Sequence, residues 1–422
     1  MRFSPDPSGG RARRRDDSGK MKVGVIFHRL GPYHVARLSG AAEVCEISAI
    51  ELAAKTSEYA WNKVGETLGF GRFTVFPEGD SRKAGAAEAV RRLEAVLQNS
   101  RPEVVAVPGW SDRGVFVAIK WCLTNDVPVM VMSESTAWDE RRVWWKEWIK
   151  RRMVGLFSAA LVGGTPQAAY MTQLRMPAER VFPGYDAVDN RYFEDKAAES
   201  EKTGSRNKFA LLEKYFLASA RFIPKKNLFR LLQAYAEYRK QATTDRRPLT
   251  TDLWHLVLLG DGPLRGDLCR LISDLGLSHS VHLPGFKQYD ELPVYYGLAS
   301  AFVHASTTEQ WGLVVNEAMA SGLPVLVSDR CGCAADLVQE GRNGFTFDPY
   351  KVEQLTQRMF QLSAFQPSRL SALGEASRQI IAAWGTERFA QGLRAAALKA
   401  MEVGPKRAGP IDSFLLKILI RR

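Results

Sequence analysis

Residues 307–324 read TTEQWGLVVNEAMASGLP. Two carboxylates, Glu309 and Glu317, stand eight positions apart, with Gly312 between them and an apolar run behind. In one continuous helix eight residues advance about 800°, which leaves the two side chains roughly 80° out of phase. A loop carrying Glu309 that turns at Gly312 into a helix carrying Glu317 reconciles them. That arrangement points Glu309 and the free N–H groups of a helix start into one crevice, and sets Glu317 about one turn inside the helix. Free N–H groups there suit an anion, and flanking carboxylates suit hydroxyls. A ligand with both phosphate and hydroxyls is a sugar nucleotide.

The chain around this stretch has 422 residues, 45% hydrophobic and 25% charged. That is ordinary globular composition at a length suited to two domains. No apolar run approaches the ~20 residues of a membrane-spanning helix. The opening, MRFSPDPSGGRARRRDDSGK, is basic, rich in Gly, Ser and Pro, and has no apolar segment. It is therefore not a secretory signal, and it reads as a disordered basic tail over residues 1–20. Five cysteines have no framework spacing, and Cys331 and Cys333 are only two apart. A reduced, cytoplasmic protein is expected. The net charge of +12 and pI near 9.5 favour an anionic partner, whether nucleic acid, acidic lipid or a phosphorylated ligand, without choosing among them.

Apolar runs at 21–27, 73–76, 104–107, 127–132 and 159–162 alternate with helical patterns at 82–98 and 114–124. A glycine-bearing loop, HRLGPYH, follows the first run and a helix starts at about Val35. A second series runs through 215–219, 254–259, 281–283, 301–304, 325–328 and 344–347. Such alternation predicts parallel sheets covered on both faces. The predicted fold class is α/β, with two Rossmann-like domains. The N-terminal domain occupies 21–193 and a charged linker 194–208. The C-terminal domain occupies 209–385, and a terminal helix with a basic, apolar tail fills 386–422. Only one glycine stands in the first loop, so no dinucleotide fingerprint is present.

Two segments mix apolar and basic residues. Trp138 to Met153 reads WDERRVWWKEWIKRRM and is expected to be a helix, and Ile411 to Arg422 reads IDSFLLKILIRR. Each has two readings. Either its apolar residues are core, or it lies on an anionic membrane surface with the basic residues against lipid headgroups.

Arg221 and Lys226 lie in ARFIPKKN, directly after a strand and at a helix start, where a guanidinium and an ammonium can clamp a diphosphate. Lys225 is a weaker alternative to Lys226. Gly260 and Asp261 open a tight GDGP turn that permits close approach of a nucleotide. Phe286 follows Gly285 at a strand end, where an open sheet lines its crevice.

In this order, Arg221 with Lys226, the GDGP turn, VHLPGF and the Glu-x7-Glu signature followed by EAMASGLPV, the chain resembles the family-four retaining glycosyltransferases with the GT-B fold. The resemblance covers nearly the whole chain after Met21 and is strongest over 216–349. It implies two Rossmann-like domains facing across a cleft, and a sugar moved from a nucleoside diphosphate to a hydroxyl with retained anomeric configuration. Arg221 and Lys226 would bind the donor diphosphate. Glu309 would contact the sugar, with the backbone of Gln310, Trp311, Gly312 and Leu313 close to sugar and phosphate. Glu317 would hold the ribose, and Gly31 would let the N-terminal backbone approach the donor. His34 would meet the acceptor or only cap the following helix. No metal and no cofactor are expected, because the cationic pair neutralises the leaving group and the departing phosphate takes the acceptor proton.

One departure stands out. Many relatives carry a sugar-contacting histidine where this chain reads VMVMSESTAWDERR. Glu134 occupies that neighbourhood, as a ligand for a sugar or acceptor hydroxyl or as a helix cap. The expected partners are a nucleotide sugar, a saccharide or lipid-linked acceptor, and the inner face of a membrane, with no nucleic acid. The expected setting is bacterial polysaccharide or glycolipid assembly. Two other classes stay open: a sugar-nucleotide epimerase on the same architecture, and a basic non-catalytic nucleic-acid-binding protein, although no nucleic-acid motif is present.

Overall fold

Among the described residues, thirteen short strands, most of them continuous runs of Val, Ile, Leu, Ala and Phe, build two wholly parallel sheets. Side chains buried on both sheet faces require such runs, because no face is left for polar residues. The computed structural model describes residues 19–54, 65, 68–79, 84–202, 206, 213–244 and 253–421. The basic tail expected over 1–20 therefore lies almost entirely outside the described residues.

The first sheet contains β1 (Lys22–Phe27), β2 (Glu46–Ala53), β3 (Gly71–Phe76), β4 (Val104–Pro108), β5 (Val129–Ser133), β6 (Ala159–Val162) and β7 (Val181–Pro183), in the order β3-β2-β1-β4-β5-β6-β7. The second contains β8 (Tyr215–Ser219), β9 (His255–Leu259), β10 (Val281–Gly285), β11 (Ala301–His304), β12 (Val325–Ser328) and β13 (Gly344–Phe347), in the order β10-β9-β8-β11-β12-β13. Strand order reverses at β1/β4 in one sheet and at β8/β11 in the other. Loops leaving the carboxyl ends of strands diverge at such points and leave a crevice.

Each sheet is covered on both faces. Helices Ala86–Ser100, Arg113–Thr124 and Trp144–Val154 close one side of the first sheet. Pro32–Ala42 and the long helix Thr386–Val403 close the other. That long helix follows the second sheet in the chain yet packs on the first, so the two domains are joined twice.

Two strands are not evident from the sequence. β2 reads EISAIELA and holds Glu51, 1% exposed. The buried carboxylate is satisfied by Arg72 at 2.6 Å, Thr74 at 2.7 Å and the Leu30 N–H at 3.3 Å. Those partners lie on β3 and on the loop after β1, and a linear reading does not see them. β7 is three residues, VFP, at a sheet edge, where proline is tolerated.

Three expected boundaries are corrected. The first helix starts at Pro32 rather than near Val35, with Gly31 as its N-cap and proline in its first turn. The helix expected from Trp138 starts at Trp144. The preceding residues form a loop tied down by Arg142, which donates to the Ala137 and Thr136 carbonyls and pairs with Asp139. The linker expected at 194–208 is helical at its start, as part of Asn190–Lys202. Phe193, Ala197 and Ser200 recur at helical spacing and are 0%, 2% and 5% exposed. That narrow stripe suffices because it seats against Leu292–Gly297, where a Cβ on Gly297 would lie 2.7 Å from the Ala197 Cα.

Gly260 has φ +127°, and a Cβ there would sit 1.9 Å from the Ala220 carbonyl. The close approach that needs glycine is thus between the GDGP turn and the loop carrying Arg221. Gly260→Ala is expected to destabilise the protein by about 3 kcal/mol in urea unfolding. A loss below about 1 kcal/mol would show that the turn yields freely.

Candidate active site

The loop between β8 and helix Leu228–Thr244 and the loop between β11 and helix Leu313–Ala320 flank the second reversal point. They meet through charge. The Lys226 ammonium bonds Glu309 Oε2, and Lys225 Nζ stands 3.5 Å from Oε1. His304 Nε2 lies 3.7 Å and Ser306 Oγ 3.5 Å from Oε2. Burial by itself raises the Glu309 carboxyl, but the His304 ring and the Lys226 and Lys225 charges outweigh it. Glu309 is therefore held ionised, well below the usual carboxylate range. Burial lowers the His304 pKa and keeps the ring neutral near pH 7.

Gly312 has φ +108° and forms the turn expected of it, so that the helix begins at Leu313. Glu317 sits just over one turn inside, with no exposure. One oxygen accepts from Tyr33, across the cleft in the N-terminal domain; the other accepts from Tyr296 at 2.6 Å. Burial pushes the Glu317 carboxyl up to about 7, against the lowering effect of both tyrosines. Tyr33 also packs edge-on against Tyr289, ring centroids 5.3 Å apart. Tyr33 thus covers Glu317 from the N-terminal side of the cleft.

Further contacts draw the domains together around the 309–312 loop. Gln167 donates to the Gln310 carbonyl, and Gln310 Nε2 donates to Asp139 at 3.2 Å. Trp138 Nε1 donates to the Arg330 carbonyl at 3.2 Å, and Thr165 bonds Asp336 through N at 2.9 Å and Oγ1 at 2.5 Å. Between the domains lies a cleft of about 1050 Å³. Glu134 and Asp112 line its N-terminal wall, and Lys225, Glu309 and Gln310 its C-terminal wall. Trp145 and Leu419 also border it.

The remaining expected residues divide. Arg221 is exposed beside the Lys226 loop. Asp261 is exposed and caps its own turn through the Gly262 N–H at 2.7 Å. Phe286, 39% exposed, follows the end of β10. Leu313 is partly buried at the helix start. Trp311 is 1% exposed and donates to Asn316 at 2.9 Å, so its side chain is core while its backbone forms the loop. His34 accepts from the Gly31 N–H at 3.0 Å, the capping role, and burial together with Arg37 brings its pKa down to about 3. Gly31 itself is extended, at φ −126° and ψ 179°, a conformation open to any residue. Sequence reasoning missed Tyr33, Tyr296 and His304. Only His304 carried a signal, as the last residue of an expected strand whose end faces the crevice.

Residues 200–379 match the glycosyl transferases group 1 family. Alpha-monoglucosyldiacylglycerol synthase of Acholeplasma laidlawii is 31% identical over 170 residues, 40% of this chain and 38% of that protein. A GDP-mannose-dependent alpha-(1-6)-phosphatidylinositol monomannoside mannosyltransferase of Mycolicibacterium smegmatis is 29% identical over 238 residues, 54% of this chain and 57% of that protein. The matched regions thus span roughly two-fifths to three-fifths of these relatives. The crystal structure of Anabaena Alr3699/HepE in complex with UDP superposes with a TM-score of 0.68 at 16% identity, covering 89% of this chain and 98% of that one. That likeness establishes the fold, GT-B, with its two Rossmann-like domains.

Tyr33→Phe removes the hydroxyl that occupies Glu317 from across the cleft. Binding of a nucleoside diphosphate, screened over the common bases by calorimetry, is expected to tighten by about 0.5–1.5 kcal/mol. Unchanged affinity for every base would show that no ligand competes for Glu317.

Proposed function

We propose that this protein is a retaining glycosyltransferase. It moves a sugar from a nucleoside-diphosphate sugar to a hydroxyl of a saccharide or lipid-linked acceptor, in bacterial polysaccharide or glycolipid assembly. The observation that carries the reading is Glu309. It is a carboxylate kept ionised by two lysines at the reversal point of the second sheet, facing an interdomain cleft, inside a family-matched segment.

In this reading Arg221 and Lys226 bind the donor diphosphate and offset the negative charge that grows as it leaves. Lys226 then exchanges part of its pairing with Glu309 for the phosphate. The N–H groups at Gly312 and Leu313 lie at a helix start, where partial positive charge favours the same anion. Glu309 accepts hydrogen bonds from sugar hydroxyls, and Glu317 meets the ribose once Tyr33 moves away. The acceptor attacks from the face the phosphate leaves, and the phosphate takes its proton. No metal or cofactor enters this scheme, because the cationic loop supplies the neutralising charge.

Two surface helices support a membrane-bound acceptor. In Trp144–Val154, Trp144, Trp145 and Trp148 are 82%, 47% and 44% exposed, so these tryptophans are not core. The terminal helix, Pro410–Arg421, packs Leu416 and Ile420 inward and leaves Ile411, Phe414 and Ile418 exposed. Arg152 joins the two helices through Asp412 at 2.7 Å. Adjacent apolar surface carrying Lys146, Arg151 and Lys417 suits an anionic bilayer. Trp145 and Leu419 place the same surface at the rim of the cleft. One relative is named for diacylglycerol and one for phosphatidylinositol. Among the described residues no helix is long and apolar enough to cross a membrane. The proposed setting is the inner membrane face, with the exposed tryptophans and basic residues as the contact.

Incubation with a panel of sugar nucleotides and membrane extract is expected to give glycosylated product. Glu309→Ala and Lys226→Ala should each lower transfer by roughly 100- to 1,000-fold, with unfolding transitions near wild type. Wild-type rates in either variant would remove that residue from the site. Interconversion of donors without acceptor would instead indicate an epimerase.

Liposomes rich in anionic lipid are expected to sediment the protein, and neutral liposomes to do so far less. Joint replacement of Trp144, Trp145 and Trp148 by alanine should release it. Failure to sediment with either vesicle would overturn the membrane assignment.

A further inference from the structure

The cleft wall opposite Glu309 carries a second carboxyl group. Glu134 stands one residue beyond β5 and lines the cleft. Behind it, three residues beyond β7, stands Asp186, 1% exposed. Asp186 is packed close to Gly163 and Trp311: a Cβ on Gly163 would lie 2.6 Å from Asp186 Oδ2 and 3.0 Å from the Trp311 ring. Neither oxygen of Asp186 meets an N–H or O–H donor among the described residues. Its hydrogen-bonding neighbour is Glu134. Two ionised carboxylates cannot bond each other, so the contact holds only when one of them is protonated.

Three further charged groups face Glu134: Arg37 from helix Pro32–Ala42, and Lys225 and Glu309 from the C-terminal domain. Arg37 is 2% exposed and gives Nη1 to the Tyr185 carbonyl at 2.9 Å, while its Nε has no acceptor. One buried guanidinium does not offset two touching carboxylates with Glu309 beyond them. Burial raises both carboxyl groups; the Glu134 charge raises Asp186 further, whereas Arg37 and the hydrogen bond from Asp186 lower Glu134, so double ionisation of the pair is disfavoured. One proton is then shared between them.

The consequence is a division of hydrogen-bonding roles across the cleft. Glu309, ionised, only accepts. A sugar hydroxyl both donates and accepts. A carboxyl pair with one proton can do either, through whichever oxygen faces the ligand. Asp186 is sealed from the cleft, and Glu134 is not.

We propose that Glu134, sharing a proton with Asp186, binds a substrate hydroxyl in the cleft opposite Glu309, and that Asp186 is the positioning residue that keeps the proton there. This rests on the glycosyltransferase reading. It also accounts for a carboxyl group in a wall that faces an anionic donor, because the shared proton removes one of the pair's two charges.

The test combines kinetics with a measurement independent of turnover. Glu134→Ala is expected to lower kcat/KM roughly 10- to 100-fold, whereas Glu134→Gln, which still donates and accepts, retains most of it. Wild-type kcat/KM should fall on the alkaline side as the pair loses its proton. Both Glu134→Gln and Asp186→Asn should lose that limb, since an amide in either position removes the shared proton. In infrared spectra at pH 7, the wild-type-minus-variant difference should show a protonated carboxyl band for both variants. An alkaline limb unchanged in both variants, or the absence of that band, overturns the inference while leaving the transferase reading intact. Absence of transfer by the wild-type protein with every sugar nucleotide overturns the transferase reading, and this inference with it.

Discussion

The ion pair between Lys226 and Glu309 organises the C-terminal half of the cleft. A carboxylate as buried as Glu309 is costly unless charge and hydrogen bonds surround it. Lys226, Lys225, Ser306 and His304 supply them, and they come from the loops after β8 and β11. These strands are neighbours in space but lie about eighty residues apart in the chain. Pairing their loops sets the position of Gly312, and therefore the direction in which helix Leu313–Ala320 presents its N–H groups.

The same short stretch places its two carboxylates in contrasting surroundings. Glu309 lies among cations and stays charged; Glu317 lies among aromatic rings, and burial pushes its carboxyl up to about 7. The contrast follows from where each side chain points. Glu309 leaves a loop toward the cationic crevice. Glu317 projects from the helix into the cluster of Tyr33, Tyr289 and Tyr296. Because Tyr33 belongs to the other domain, the state of Glu317 is tied to how the domains stand. Motions that separate them expose Glu317 and break the Gln167–Gln310 and Thr165–Asp336 bonds together. Domain closure and the shape of the donor loop are thus one event.

The N-terminal wall shows the same logic at a second pair of carboxyl groups. Glu134 and Asp186 follow different strands and meet beside Arg37, with Lys225 facing Glu134 from the other domain. Across about 1050 Å³ of cleft, a wholly ionised group faces a partly protonated one. Acceptor and donor capacity for hydroxyl ligands are therefore divided between the domains. The exposed tryptophans and terminal helix lie on the N-terminal side, so any surface they contact adjoins this wall.

Local pattern determined a great deal. Continuous apolar runs require strands buried on both faces, and Gly312 with the Glu-x7-Glu spacing requires a loop-to-helix turn, which the structure contains. Both are short-range steric or periodic constraints, legible without knowing any neighbour. Tertiary structure decided the rest. β2 is hidden by Glu51 until β3 supplies Arg72 and Thr74. The helix at 190–202 rests on a sparse stripe that matters only against Gly297. The sequence named Arg221, Lys226, Glu309 and Glu134, but not the Tyr33 contact that covers Glu317 or the Asp186 contact behind Glu134. Those partners lie 284 and 52 residues away in the chain, and a carboxyl group's charge depends on what folding brings against it. The chain by itself thus determined which groups are available; only the fold decided which of them are charged, neutral or covered.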